Sequence, residues 1–338
     1  MLRTLISIAG PPFRAIHKTR EAAYKSGLFS CYEADVPVIS IGNLTTGGVG
    51  KTPLVIWLAS RLCSRGSKPA VVSRGYGGAN RQKYLVVSDG NCGKPLHDPS
   101  VVGDEPYLIA CRIPTAPVLI GRKRMHPIRA VQELFSVDVI ILDDGFQHLG
   151  VARDLDVVVL TGAEDEMVPI IQLREPLSAL RRADVFFQSC LGEGHVTPRT
   201  AKLTPMFVYR HCVQGLVTSA FPFEVVDTSY INNKSVTLVS AIARPERFLN
   251  TAKTLGWNIV RHVTYRDHHF FSIRELQKLV SADPYTELVF TEKDWVKLPA
   301  WFQRLKQTWA LRIDVQVEEE QKFLKLVAEK IRDFSSSQ

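Results

Sequence analysis

Long apolar runs are missing from this chain of 338 residues. The longest is Leu54-Val-Ile-Trp-Leu-Ala59, far short of the roughly 18–20 residues that cross a bilayer, which argues against an integral membrane protein. Cys-x-x-Cys pairs are missing too. The six cysteines, at positions 31, 63, 92, 111, 190 and 212, stand far apart, which argues against structural zinc and a secreted disulfide framework and for a reducing cytoplasm. They read as small core residues. Repeats and low-complexity stretches are absent as well. With 45% hydrophobic and 22% charged residues, the composition is that of a globular protein and not of a disordered chain or a fibre. Lys and Arg number 42 against 34 Asp and Glu, a net charge of +8. That excess favours an anionic partner, whether nucleotide, nucleic acid, acidic lipid or phosphorylated substrate.

Residues 1–31 mix Leu2, Leu5, Ile6, Ile8, Phe13 and Ile16 with Arg3, Arg14, Lys18, Arg20 and Lys25. They lack the uninterrupted apolar core and cleavage site of a secretory signal. Leu2, Leu5, Ile6 and Ala9 recur at helical spacing, which predicts a short amphipathic helix broken at Pro11-Pro12. Two uses are open to it: packing on the main domain, or lying among the headgroups of an anionic membrane.

From Val38 onward, short β-rich runs alternate with helical periods. The runs are Val38-Ile-Ser-Ile-Gly42, Ala70-Val-Val-Ser73, Tyr84-Leu-Val-Val-Ser88, Pro117-Val-Leu-Ile120, Val137-Asp-Val-Ile-Ile-Leu142 and Leu155-Asp-Val-Val-Val-Leu160. Helices are expected after Lys51, over 105–111 and over 125–135. Such alternation means βαβ units and a mainly parallel sheet, with ligands at the carboxyl ends of its strands. A loop-like stretch around 221–234 precedes a second αβ unit. It opens at Ser235-Val-Thr-Leu-Val-Ser240, passes Glu287-Leu-Val-Phe-Thr291 and ends in an amphipathic helix over 318–333. The expected fold is α/β: a P-loop NTPase-like, mainly parallel sheet flanked by helices, with a second, smaller α/β domain. The expected divisions are 1–31, 32–228 and 229–338.

The strongest motif is Thr45-Thr-Gly-Gly-Val-Gly-Lys-Thr52, between a strand and a helix. A phosphate chain needs inward-pointing backbone N–H groups with no side chains in the way, and Gly47, Gly48 and Gly50 meet that need. Lys51 would reach the β- and γ-phosphates, and the Thr52 hydroxyl would ligate Mg²⁺. Thr45 stands where the pattern usually begins with Gly. Asp143 and Asp144 close an apolar strand as Walker-B carboxylates do, and Gly145-Phe-Gln-His148 sets Gln147 at the same strand end. In Gly103-Asp-Glu-Pro106, Asp104 reads equally as a helix N-cap or, with Glu105, as a base and metal contact. Arg266-Asp-His-His269 supplies either a surface histidine pair or a group to accept a hydroxyl proton. Arg174, Arg181 and Arg182, and likewise Arg122, Lys123 and Arg124, are basic enough to meet an anionic substrate. Thr291-Glu-Lys-Asp294 is spaced wrongly for the guanine-reading element of GTPases.

Together these elements resemble the tetraacyldisaccharide 4′-kinases, which phosphorylate the lipid A precursor of Gram-negative bacteria. The resemblance is carried by residues 37–53, Ser73-Arg-Gly-Tyr-Gly77, Gly103-Asp-Glu-Pro106, Asp143-Asp-Gly-Phe-Gln-His148, Leu173-Arg-Glu-Pro176, Arg181-Arg-Ala-Asp184, Arg244-Pro-Glu-Arg-Phe248, Asp267-His268 and Thr291-Glu-Lys-Asp294. It implies ATP- and Mg²⁺-dependent phosphorylation of the 4′-hydroxyl of a tetraacylated glucosamine disaccharide 1-phosphate, at the cytoplasmic face of the inner membrane and with no nucleic-acid partner. Asp104 and His268 would then orient the sugar hydroxyl and accept its proton. Lys51 and the loop from Thr45 and Thr46 through Gly47, Gly48, Val49 and Gly50 to Thr52 would hold ATP. Asp143, Asp144, Glu105 and Gln147 would surround Mg²⁺. The amino-terminal helix would face an anionic membrane surface, and residues 229–338 would close over the cleft. Ala241-Ile-Ala243 stands where such kinases commonly show Gly-Ile-Gly, and Pro169-Ile-Ile-Gln-Leu173 replaces a more Gly- and Pro-rich approach. The alternative is a membrane-surface regulatory P-loop NTPase. A partitioning ATPase of that kind would carry a second lysine at position 45, and a metal-insertion GTPase would carry a Cys/His pair; this chain has neither.

Overall fold

The computed structural model describes residues 2–162, 164, 172–189, 204–218, 221, 223–282 and 284–336, with side chains from residue 12 onward. The Pro169-to-Gln172 approach lies almost wholly outside them. Helix α1 (Leu2–Lys25) precedes β1 (Val38–Asn43), α2 (Lys51–Ser64), β2 (Pro69–Ser73), β3 (Leu85–Asp89), α3 (Pro99–Val102) and α4 (Asp104–Arg112). Then come β4 (Pro117–Ile120), α5 (Met125–Leu134), β5 (Val139–Asp143), β6 (Leu155–Leu160), β7 (Val185–Ser189), β8 (Met206–Val217) and β9 (Val225–Val226). The remainder is β10 (Ser235–Ser240), α6 (Pro245–Thr254), β11 (Asn258–Thr264), α7 (Ile273–Ala282), β12 (Glu287–Thr291), α8 (Glu292–Trp295), α9 (Ala300–Gln303), β13 (Thr308–Val317) and α10 (Glu320–Ser336).

All thirteen strands belong to one sheet, ordered β11-β10-β12-β13-β8-β7-β6-β1-β5-β2-β4-β3, with β9 beside β8. Most pairings are parallel; β3 with β4, β8 with β9 and β8 with β13 are antiparallel. Strands β1, β5 and β6 are buried along their whole length, which is why they read as continuous Val/Ile/Leu runs. Strand β8 is the seam. Its first residues pair with β7 and its later ones with β13, so the sheet passes without a break from one half of the chain to the other. The 228/229 division falls in a short 3₁₀ turn, Thr228–Ile231. Helix α10 buries Phe323, Leu324 and Val327, with Phe323 against Trp57, Phe187 and Phe207 of the first half.

Two expectations need correction. Helix α1 runs through Pro11 and Pro12 instead of stopping there. Each proline forfeits one backbone hydrogen bond but keeps a helical φ, and the helix is held from its other end. There Ala23 is buried, Arg20 donates to Gln147 O at 3.0 Å, and His17 and Arg20 lie 3.7 and 3.8 Å from the Glu175 carboxylate. The cysteines are not core fillers as a class. Of the five described, all free, only Cys111 is buried, while Cys31 and Cys92 are exposed.

Candidate active site

Strand β1 delivers Asn43 to the start of the glycine loop. Its Nδ2 donates to the Thr45 carbonyl and hydroxyl at 2.7 and 2.9 Å, so the side chain that replaces the usual first glycine turns into a buried hydrogen bond. Thr46 N–H donates to Gln172 O at 2.8 Å. Gly47 and Gly50 have φ of +97° and +90°, conformations that side chains disfavour. Gly48 is exposed, Val49 is buried, and the Val49 carbonyl accepts the Tyr209 hydroxyl at 3.0 Å. Helix α2 then starts at Lys51, placing Lys51 and Thr52 in its first turn and aiming its unpaired N–H groups at the loop. The Lys51 ammonium lies 2.9 Å from Asn43 Oδ1 and 3.3 Å from Asp144 Oδ1.

Strand β5 ends on Asp143, 2% exposed. Its Oδ2 accepts the Ser73 hydroxyl at 2.8 Å. Its Oδ1 is buried with no hydrogen-bond partner. Burial first, then the neighbouring Glu105 and Asp144 carboxylates, hold this carboxyl well above the usual carboxylate range. Asp144, at φ +54°, turns the other way and accepts two hydrogen bonds from Arg174, at 2.9 and 2.7 Å. Burial opposes its ionisation, but Lys51 and Arg174 outweigh that cost and pull its pKa down to about 2. Gln147 Nε2 donates to Asn43 O at 2.7 Å, tying the Asp-Asp-Gly-Phe-Gln turn to the root of the glycine loop.

An orphaned buried carboxylate oxygen beside a phosphate loop fits Mg²⁺, which draws most of its ligands from water and phosphate and needs few from protein. The described residues accordingly hold no cluster of three or more His, Cys, Asp or Glu that could bind a metal alone. Asp143, Asp144 and Thr52 are the residues that could hold such an ion. Glu105 is engaged by Lys293 at 3.0 Å and acts on Asp143 through its charge. Gln147 spends its N–H₂ on backbone.

Asp104 opens α4. Gly103 before it has φ +94°, and a Cβ there would stand 2.4 Å from Tyr76 O, so only glycine lets the Ser73-Arg-Gly-Tyr-Gly77 loop close over this turn. Asp104 is 1% exposed. The imidazole Nδ1 of His268, 164 residues along the chain, sits 2.9 Å from both its carboxylate oxygens. The Tyr76 ring flanks His268 edge-on at 5.2 Å. Burial disfavours both charges, but each partner's hydrogen bond prevails, so the Asp104 carboxyl lies below its ordinary range and the imidazole above. Lys293 completes the cluster, 3.4 Å from His268 Nε2, 3.3 Å from Asp267 and 3.9 Å from Asp104. Burial alone would lower its pKa; Glu105, Asp104 and Asp267 together raise it.

The structure brings Lys51 of the glycine loop to Asp144 and His268 to Asp104; sequence reasoning gave no separate role to Lys293, Asn43 or Ser73. The Thr291-Glu-Lys-Asp294 element, mis-spaced as a base reader but one of the motifs that carry the resemblance, is what brings Lys293 to Asp104 and His268. Half of the six basic residues assigned to an anionic substrate are otherwise occupied. Arg174 serves Asp144, Arg182 pairs with Glu175 and Glu21, and buried Arg124 donates to Gly121 O and Asp143 O. Arg122, Lys123 and Arg181 remain exposed. His269 stacks on Tyr265 at 4.8 Å and binds Glu275, away from Asp104.

Comparison with known proteins shows the family. The family model described as Tetraacyldisaccharide-1-P 4'-kinase matches residues 2–332. The tetraacyldisaccharide 4'-kinase of Anaeromyxobacter dehalogenans is 38% identical over 306 residues, covering 86% of this chain and 80% of that one. The enzyme of the same name from Geobacter sulfurreducens is 34% identical over 323 residues, covering 94% and 90%. A crystal structure of LpxK from Aquifex aeolicus in complex with ATP superposes with a TM-score of 0.83 at 29% identity, covering 98% of this chain and all of that one. With matches running nearly end to end in both sequence and fold, the chain belongs to the tetraacyldisaccharide-1-P 4'-kinase family.

Proposed function

We propose that this chain transfers the γ-phosphoryl group of ATP to the 4′-hydroxyl of a tetraacylated glucosamine disaccharide 1-phosphate, giving lipid IVA in lipid A biosynthesis. The observation that carries the site assignment is the 2.9 Å contact between Asp104 and His268, in a site that also presents a phosphate loop and a buried Walker-B carboxylate. Asp104 holds Nδ1–H of the imidazole, which leaves Nε2 as the acceptor. Nε2 takes the proton of the sugar hydroxyl as its oxygen bonds to the γ-phosphorus and the bond to the β–γ bridging oxygen breaks, releasing ADP. Lys51 and the loop N–H groups bind the phosphate oxygens and orient them for in-line attack. Mg²⁺, when bound, neutralises charge on the β- and γ-phosphate oxygens. The direct test is incubation with labelled ATP, Mg²⁺ and the tetraacyl disaccharide 1-phosphate in detergent. A labelled bisphosphorylated lipid is expected, and its absence overturns the proposal.

The raised Asp143 pKa has a thermodynamic consequence. Folding favours the protonated carboxyl, so the cost of the buried anion grows as pH rises above the ordinary carboxylate value, and a divalent cation relieves it. MgCl₂ is therefore expected to raise Tm more at about pH 8 than at about pH 5.5, with the difference lost in Asp143→Asn. Equal shifts at both pH values in the unsubstituted protein would remove Asp143 as a ligand.

The acyl chains of the acceptor place the reaction at a membrane surface. No helix among the described residues is long and apolar enough to cross one. Exposed Ile16, Leu28 and Phe29, with the basic residues of α1, suit a peripheral contact with anionic lipid at the cytoplasmic face of the inner membrane. Replacing Ile16, Leu28 and Phe29 by Ser leaves the contacts of His17 and Arg20 in place, so flotation with anionic vesicles is expected to fall while ATP binding persists. Unchanged flotation would sink the membrane role of this segment.

A further inference from the structure

Beside Asp104 and His268 lies a second pair of charges, buried away from solvent. The Lys297 side chain is fully buried, 2.7 Å from Asp294 Oδ1 and 3.8 Å from Asp104 Oδ2, with the rings of Phe270 and Phe271 at 5.9 and 5.6 Å. Neither the Lys297 ammonium nor Asp294 Oδ1 has another hydrogen-bond partner, so the two charges are matched to each other. Asp294 is itself fully buried. Its Oδ2 accepts the Ala241 N–H at 2.9 Å and the Thr291 hydroxyl at 2.6 Å. The Ala241 carbonyl in turn accepts the His268 N–H at 3.2 Å.

Both catalytic side chains therefore lead back to the same two residues. Asp104 is held by the Lys297 charge, and His268 by a backbone bond to Ala241, the residue whose N–H Asp294 accepts. His268 needs such a hold, because its φ of +61° is uncommon for a residue with a Cβ and persists only where the surroundings over-determine it. Burying two charges costs several kcal/mol per ion before their attraction is counted, a poor use of a core position unless the pair also orients something.

We propose that Lys297 and Asp294 form a positioning pair that keeps Asp104 and His268 aligned for proton transfer without touching nucleotide or acceptor. The inference rests on the phosphoryl-transfer reading above. In the full-length protein, Lys297→Met is expected to lower kcat about 10- to 100-fold, the scale of a misplacement near 1 Å, while KM for ATP stays within about twofold. Lys297→Arg, which keeps the charge, recovers part of the loss. In both wild type and variants, the downfield imidazole N–H proton resonance of His268 reports the contact directly, and it is expected to move upfield in Lys297→Met.

A folded Lys297→Met with wild-type kcat overturns the proposal, as does one that loses ATP affinity and kcat alike. Should Lys297→Met fail to fold, Asp294→Asn decides. It keeps an acceptor for Ala241 and removes the charge, so kcat is expected to drop about tenfold at constant KM for ATP, short of the full misplacement cost; unchanged kcat overturns the proposal. Absence of lipid phosphorylation in the wild-type protein would count against the phosphoryl-transfer reading alone, since the resonance shift still tests the alignment.

Discussion

Asp104→Asn is expected to lower turnover by about 10²- to 10⁴-fold, the range attached to a positioned general base. The substitution is nearly isosteric. The amide oxygen still accepts the Glu105 N–H that Asp104 Oδ1 now takes at 2.9 Å, and it still reaches His268 Nδ1. The charge is lost. Without it the imidazole no longer gains from the carboxylate, so burial and the Lys293 charge, both of which lower its pKa, prevail. The base becomes weaker, and the acidic limb of the rate profile moves to lower pH. Steady-state kcat against pH, with Tm as a folding control, checks the result. Near wild-type turnover would exclude Asp104 as the partner of the base.

Lys51→Ala is expected to cost about 10²- to 10³-fold in kcat, as when one preorganised donor to developing charge is removed. The ammonium is already held between Asn43 Oδ1 and Asp144 Oδ1, so little reorganisation is left for the reaction itself. The fold should persist, because Lys51 sits at the partly exposed start of α2 and Asp144 keeps both hydrogen bonds from Arg174. Lys51→Arg is expected to rescue poorly, since a planar guanidinium does not reproduce a point charge in that slot. Single-turnover kinetics at saturating ATP separate the chemical step from binding. A rate within a few-fold of wild type would remove Lys51 from the phosphate site.

The elements legible in sequence share a physical cause. Strands β1, β5 and β6 are buried on both faces and announce themselves as apolar runs; the glycine loop announces itself because backbone N–H groups must approach phosphate closely. Strands β8 and β13 escaped notice, although Leu311, Ile313, Val315 and Val317 alternate with Arg312, Asp314 and Gln316, the period of a half-buried strand. These two strands are the seam of the sheet, so missing them left the halves of the chain as separate units. The prolines of α1 misled for the opposite reason. They are strong local signals, but contacts with Glu175 and Gln147 at the far end hold the helix.

Local chemistry, read along the chain, determined the parallel α/β architecture, the phosphate loop and the Walker-B carboxylates, because each is built by neighbours whose spacing is set by one strand and one turn. Tertiary structure alone decided which charges meet. Arg112 to Glu292 at 2.7 Å and Arg312 to the same carboxylate at 2.7 Å pin α4 against α8 and β13, and that docking brings His268 to Asp104 and sets Lys293 and Lys297 beside them. No periodicity encodes such meetings. They arise when the sheet, continuous through β8, folds residues more than a hundred and fifty positions apart into one largely buried site, where a charge persists only if it finds its partner.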